Sequence, residues 1–439
     1  MAPIGLWGIV RVGLVQACLG AMVVLTTSTL NRVMVVELAL PALLPGVLVA
    51  LHYLVQVLRP RMGFGSDVGG RRTPWIVGGM AVLALGGTGA AVATAWMATS
   101  PAAAIALAVL CFLLIGVGVS AAGTSLLVLL AKRVAEERRA AAATIVWMMM
   151  IVGFAVTAGA AGRLLDPYSP ARLVGVMAAV CVAAFVLALL ALRGLEGEGA
   201  TTEAEERQPP FFQALAQVWT EPDARRFTVF IFVSMLAYSA QDLILEPFAG
   251  AVFGFTPGES TSLSGVQHGG VLAGMLLVAL AGSSALRRWF GSMRAWTVGG
   301  CVTSALALAA LVAAAGAGPG WPLRSTVFLL GAANGAFSIA AIGSMMRLAG
   351  QGRERREGVR MGLWGAAQAV AFGLGGLVGT AASDIAHRLL ASQAAAYASV
   401  FGFEALLFVA SAWLAARIDA PSRAPQPSPR PAIVAGEAR

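Results

Sequence analysis

The amino-acid sequence predicts an all-α integral membrane protein of 12 transmembrane helices arranged as two six-helix repeats. Three observations carry that expectation. Of 439 residues, 58% are hydrophobic and only 12% are charged, with a mean hydropathy of +0.81. The charged share is half the ~25% of an ordinary soluble domain, so a soluble enzyme of this size and a disordered chain are both excluded. Apolar runs of about 20 residues, the length that crosses a bilayer, recur twelve times. The basic residues then fall on alternate connections between those runs.

The expected spans are 10–36, 41–58, 74–97, 102–130, 142–162 and 173–192, followed by 226–252, 263–285, 296–316, 325–348, 361–383 and 396–416. Connections after even-numbered spans hold Arg59, Arg61, Arg71 and Arg72, then Lys132, Arg133, Arg138 and Arg139. Further on they hold Arg193, Arg207, Arg225 and Arg226, then Arg287, Arg288 and Arg294, then Arg353, Arg355, Arg356 and Arg360. The opposite side holds Arg163, Arg172, Arg324 and Arg388, with Arg32 at the end of the first span. By the positive-inside rule the basic side and both termini are cytoplasmic. The net charge of +9 is therefore a topology signal, and no nucleic-acid partner is expected.

The two groups of spans repeat each other. Glu137-Arg138-Arg139, Trp147, Gly159 and Gly162 return as Glu354-Arg355-Arg356, Trp364, Gly376 and Gly379, all at one offset of 217 residues. A parallel six-plus-six repeat is the build of major-facilitator transporters. The expected division is an N-terminal half at 1–192, a cytoplasmic linker at 193–225, a C-terminal half at 226–416 and a tail at 417–439. The linker is rich in Glu, Gly, Thr and Pro, then puts Phe211, Phe212, Leu215, Val218 and Trp219 on one helical face, an interfacial helix. The tail, with five prolines from Pro421 to Pro431, is expected to be disordered.

Between the second and third spans, Gly63, Asp67, Gly70, Arg71 and Arg72 form the pattern G-x-x-x-D-x-x-G-R-R. It resembles the major-facilitator loop signature, which implies a cytoplasmic latch; Val68 departs from the basic residue many members carry there. The corresponding second-half loop, around Arg287 and Arg288, lacks the Asp.

Ionisable groups inside spans are costly and mark functional sites by default. Asn31, Arg32 and Glu37 end the first span, while Gln241, Asp242 and Glu246 lie in the seventh. These spans are repeat partners, so a charge network on the periplasmic side is expected in which Arg32 pairs with Asp242 or Glu246. A lipid–water boundary position for Arg32 and Glu37 is the plainer alternative. Asp242, Glu246 and Glu404 are also candidate proton sites.

His52, with Gln56 one turn on, is a candidate ligand for the magnesium of a chlorin, against the commoner role of a hydrogen-bonded packing residue. Trp147, followed by three methionines, and Trp364 are candidates for lining a flat apolar ligand, against ordinary helix packing. His268 is a weaker candidate, and His387 is expected in a solvated connection. Cys18, Cys111, Cys181 and Cys301 stand singly in apolar runs, so neither a disulfide framework nor a metal site is expected. No cleaved signal peptide is expected. The six Asp residues are scattered, with no pair to hold magnesium diphosphate and no Walker loop. Neither catalytic residues nor a required cofactor are expected.

Ser28-Thr29-Leu30-Asn31-Arg32-Val33-Met34 with Glu37, Arg59-Pro60-Arg61-Met62-Gly63-Phe64 with Ser66-Asp67, Arg72-Thr73-Pro74-Trp75-Ile76, and Gln241-Asp242 with Leu245-Glu246-Pro247 resemble the PucC family. This is the bacteriochlorophyll-delivery branch of the major facilitators, and the modest length is similar to that of the shorter members encoded with bacteriochlorophyll-synthesis genes. The resemblance implies assembly of light-harvesting complexes in the bacterial inner (intracytoplasmic) membrane, with bacteriochlorophyll or a precursor as cargo and light-harvesting polypeptides, and bacteriochlorophyll synthase, as partners beside the lipid bilayer. Two rivals stay open: a proton-coupled exporter of a small hydrophobic compound, and a non-catalytic accessory subunit of the synthase.

Overall fold

The computed structural model describes residues 4–56, 71–135, 138–196, 219–281, 292–351 and 357–418. The first span is interrupted: α1 (Leu6–Thr27) is followed by a short α2 (Thr29–Arg32) and a π-helical turn (Val33–Glu37). Then come α3 (Leu43–Val55), α4 (Thr73–Trp96), α5 (Pro101–Arg133), α6 (Arg139–Leu165) and α7 (Pro170–Leu192). The seventh span is also broken, into α8 (Pro222–Asp242) and α9 (Leu245–Phe253). The last five helices are α10 (Pro257–Ala281), α11 (Met293–Ala317), α12 (Leu323–Gln351), α13 (Glu357–Leu389) and α14 (Gln393–Ile418).

Among the described residues, eleven helical segments are long and apolar enough to cross a membrane; α3, the second expected span, is a shorter apolar helix that ends beside the undescribed residues 57–70. Local chemistry sets many of the starts. Pro74, Pro101, Pro170, Pro222 and Pro257 sit in first turns, where a missing N–H costs nothing. The side chains of Ser169 and Ser292 cap α7 and α11 by accepting from Arg172 N and Ala295 N. Gly254, with φ +71°, closes α9 in the left-handed conformation that glycine adopts without penalty. Leu85, Leu306 and Leu406 project outward from the bundle, as a lipid-facing surface requires.

Two apolar cores form. One joins α1 to α7 with Leu195 and Leu243; the other joins α8 to α14. The packing partners repeat: α1 lies against α6 and α7 as α8 lies against α13 and α14, and α4 lies against α5 and α7 as α11 lies against α12 and α14. Two large interfaces join the first set of helices to the second, α6 on α10 and α3 on α13, beside a smaller junction of α2 and the π-helical turn with α9 and α10. At the former the backbones nearly touch, since a Cβ on Gly265 would stand 2.9 Å from Gly159 N. All four cysteines are buried and free.

Candidate functional site

Both broken spans come together at the end of the bundle opposite that where α1 begins and α14 ends, called here the far end. The break at Leu243–Ile244 frees the Leu243 carbonyl, which accepts from Asn31 Nδ2 at 2.7 Å. Thr29 Oγ1 meets Thr261 Oγ1 at 2.9 Å. Non-helical backbone is tolerated at membrane depth only where protein satisfies it, and here the first span supplies that partner to the seventh.

Arg32 is the centre of this junction. Its Nη1 forms an ion pair with Glu37 Oε1 at 2.8 Å, and its Nη2 donates to the Phe255 carbonyl at 2.7 Å. The guanidinium lies flat on Gly250, where a Cβ would stand 2.8 Å from Nη2. The direct ion-pair partner of Arg32 is thus on its own span rather than Asp242 or Glu246, although its charge also acts on Glu246. The π-helical turn explains the choice, because it brings residue i+5 onto the face of residue i. The side chain of Arg32 is 3% exposed and that of Glu37 32%, so the pair is half inside. Tyr168, in the α6–α7 turn, feels the same pair: burial, reinforced by the Glu37 charge and opposed by Arg32, pushes its phenol above the usual range.

Two carboxylates bridge the halves at this end. Asp384, on α13, accepts from the backbone N–H groups of Ala42 (2.9 Å) and Leu43 (2.8 Å) at the start of α3. Asp166, at the end of α6, accepts from Gly258 N (3.2 Å) and Thr256 Oγ1 (2.8 Å) at the start of α10. The first turn of a helix carries unpaired N–H groups and the positive end of its dipole, so each Asp caps a helix of the opposite half. The sites are repeat counterparts but not equal. Thr256 and Glu259 also form a capping box on α10, with Glu259 N donating to Thr256 Oγ1 and Thr256 N to Glu259 Oε2. The N-cap of α3 has no side-chain hydrogen bond of its own.

Deeper in the bundle the two interfaces are aromatic. Tyr53 on α3 stacks on Phe372 of α13 at 5.7 Å, and Tyr238 on α8 packs edge-on against Phe372 at 5.8 Å. On the other side Phe154 of α6 meets the ring of His268 on α10 at 5.0 Å. The three expected intramembrane acids gather near by. Asp242 Oδ1 accepts from Gln267 Nε2 at 3.3 Å, and its charge acts on Glu246 and on Glu404. Glu246 and Glu404 are buried, and neither makes a well-aligned hydrogen bond; the Ser28 and Ser264 hydroxyls lie alongside Glu246. Gln241, also buried, has both amide atoms unpaired among the described residues.

The four candidate pigment residues separate. His52 Nε2 accepts from Gln56 Nε2 at 3.1 Å, so its lone pair is occupied. Trp364 is buried edge-on against Phe227 at 4.8 Å, inside the second core. Trp147 instead packs at the α6–α10 interface with Ile151, Phe154, Val271 and Met275, in the company of His268. His387 lies in the last turn of α13, which runs further than the expected 361–383. Its ring packs edge-on against Tyr397 at 4.8 Å, a half-buried position rather than a solvated connection.

Of the loop signature, Gly63, Asp67 and Gly70 lie outside the described residues, as do residues 197–218 of the linker and the tail from 419. Arg71 is exposed. The backbone N–H groups of Arg72 and Thr73 both donate to the carboxylate of Glu196, the latter at 2.8 Å, so the linker's first acid caps α4. Burial raises the Glu196 carboxyl, but these hydrogen bonds and the Arg72 charge outweigh it and hold the group below its ordinary range.

Asp166, Asp384, Tyr53, Tyr238, Phe154 and Phe372 were not singled out in the sequence. The available signal was positional: both Asp residues close the helices that carry the internal repeat, one residue off the common offset.

The fold so described is that of solved major-facilitator transporters. The chain is similar to the nucleoside transporter NupG (TM-score 0.69, 12% identity, covering 94% of this chain and 100% of that one). It is also similar to a bacterial homologue of the human drug peptide transporters PepT1 and PepT2 (TM-score 0.66, 14% identity, 94% and 97%). Within that class, the family model described as PUCC protein matches residues 29–422, and the chain belongs to this family. Bacteriochlorophyll synthase 44.5 kDa chain of Rhodobacter capsulatus is 54% identical over 429 residues, covering 98% of each chain. Protein PucC of Cereibacter sphaeroides is 31% identical, covering 90% of this chain and 88% of its own.

Proposed function

We propose that this multi-pass membrane protein binds a bacteriochlorophyll or a close precursor between its two halves and hands it to light-harvesting polypeptides, without catalysing a reaction. The observation that carries this reading is the character of the two interfaces: aromatic pairs, Tyr53 on Phe372 and Phe154 on His268, with methionines packed beside Phe154. A sugar or nucleoside needs a dense array of hydrogen-bond partners, whereas a flat lipophilic ring needs π-faces and adaptable thioethers. The relatives' names, Bacteriochlorophyll synthase 44.5 kDa chain and Protein PucC, support a pigment as the ring in question. The basic loops support an inner-membrane location with both termini cytoplasmic. Rocking of the two halves about these interfaces would expose the ring laterally to a partner in the bilayer.

The reading is tested by transfer in liposomes. Pigment-loaded protein is mixed with pigment-free light-harvesting polypeptides, and the absorption band of the assembled complex is followed. Band formation faster than from free pigment supports delivery; an equal rate defeats it.

The buried group of Asp242, Glu246 and Glu404 favours a second reading, a proton-coupled exporter of a small hydrophobic compound. Proton-dependent flux in proteoliposomes, abolished by Asp242→Asn, would support that reading over delivery. Co-purification with the synthase and no pigment of its own would instead favour an accessory subunit.

A further inference from the structure

We propose that His268 is the axial ligand for the magnesium of a tetrapyrrole seated against α10 at the edge of its interface with α6; this rests on the pigment reading and names the atom that would hold the pigment. The geometry fixes the chemistry of the imidazole. His268 Nδ1 is 2.9 Å from the Ser264 carbonyl oxygen. A carbonyl only accepts, so Nδ1 carries the proton and Nε2 keeps its lone pair. Neutral imidazole in this tautomer is a metal ligand, and a backbone carbonyl on the other nitrogen is the arrangement that orients such a ring and raises its basicity. Among the described residues nothing is placed on Nε2. Phe154, edge-on at 5.0 Å and 70°, holds the ring plane.

Beside the ring the surface of α10 is open: among the described residues no atom of another helix lies within 4 Å of the position a Cβ would take on the neighbouring Gly269. Trp147 precedes Phe154 by two turns on α6, and Leu272 follows His268 by one turn on α10; both pack at the same interface. The other two histidines differ in the feature that matters. His52 has its Nε2 occupied by Gln56. His387 has the same carbonyl bond, to Ser383 at 2.7 Å, but its ring packs against Tyr397 at the far end. Coordination donates the Nε2 lone pair to magnesium and releases no proton, so no co-reactant is needed.

The test titrates the full-length protein in mild detergent with magnesium bacteriochlorophyll and, separately, with metal-free bacteriopheophytin. Affinity is read by tryptophan quenching, and magnesium coordination by the pigment's visible absorption. His268→Leu is expected to weaken the magnesium pigment by roughly tenfold or more and to leave the metal-free pigment unchanged. His52→Leu and His387→Leu are expected to change neither. His268→Gly is expected to regain coordination when imidazole is added, which separates ligand loss from misfolding. Equal affinity of wild type and His268→Leu for the magnesium pigment overturns the assignment while leaving the pigment reading intact. Equal loss of both pigments overturns it too, since a packing role would explain that. Wild-type protein that binds neither pigment defeats the pigment reading itself.

Discussion

Removing Asp384 should release the far end of the bundle more than removing Asp166. Among the described residues Asp384 supplies the only side-chain cap on α3, through bonds of 2.9 and 2.8 Å to Ala42 N and Leu43 N. Loss of a helix cap costs about 0.5–2 kcal/mol, and loss of a carboxylate from a helix N-terminus a further ~0.3–1 kcal/mol. The bond to Leu43 is solvent-exposed, so the combined loss is set at about 2 kcal/mol, or about thirtyfold in the ratio of closed to open forms. Asp166→Ala leaves the capping box of Thr256 and Glu259 on α10, and its expected cost is about 1 kcal/mol, about fivefold. The assay is electron–electron distance measurement between spin labels at Thr99→Cys and Gly320→Cys, on far-end turns of opposite halves, with the four native cysteines replaced. The parent should give one short distance; Asp384→Ala should add a longer population, and Asp166→Ala a smaller one. An unchanged distribution in Asp384→Ala, or a larger change in Asp166→Ala, refutes the reasoning. Gly258→Ala provides an independent wedge, because its Cβ would stand 2.5 Å from Asp166 Cγ.

Arg32→Ala should lower the melting temperature in detergent by an amount equivalent to about 2–4 kcal/mol, since it strands Glu37 and the Phe255 carbonyl; Arg32→Lys should recover only part. In double-mutant cycles Arg32 should couple to Glu37 and not measurably to Asp242, and the reverse order would contradict the assigned pairing. Glu404→Leu should raise the melting temperature, because a buried carboxyl with no aligned hydrogen bond costs about 1–3 kcal/mol that an apolar side chain avoids; a lower value contradicts this. Glu196, held below its ordinary value of 4.5, should stabilise the protein fully above about that pH and progressively less as the pH falls beneath it. Glu196→Gln should flatten that acid limb of a melting-temperature profile, and an unchanged limb would show that the cap on α4 contributes nothing.

The spans were legible because bilayer thickness imposes one length on every apolar run, and the matching Trp and Gly positions exposed the repeat. The interruptions were not. The break at Leu243–Ile244 has no Pro or Gly at the break itself, and it is satisfied by Asn31, more than two hundred residues away in the chain. Matched depth suggested a partner for Arg32 in the other half, whereas a π-helical turn, invisible in composition, supplied Glu37. Asp166 and Asp384 looked scattered because their partners are distant in sequence and are backbone N–H groups, which no motif names. The hydrogen-bonded state of the histidines was hidden for a similar reason: it depends on Ser264 for His268 and on Gln56 for His52, not on the His itself.

We propose that a chlorin binds between the two halves. The most direct measurement is the absorption spectrum of the full-length protein purified in mild detergent from a bacteriochlorophyll-producing host, with pigment per protein determined by extraction. The account predicts a bound chlorin in near-stoichiometric amount, lost on Trp147→Ala with Phe154→Ala. A colourless, well-folded protein that takes up no pigment on titration would contradict it.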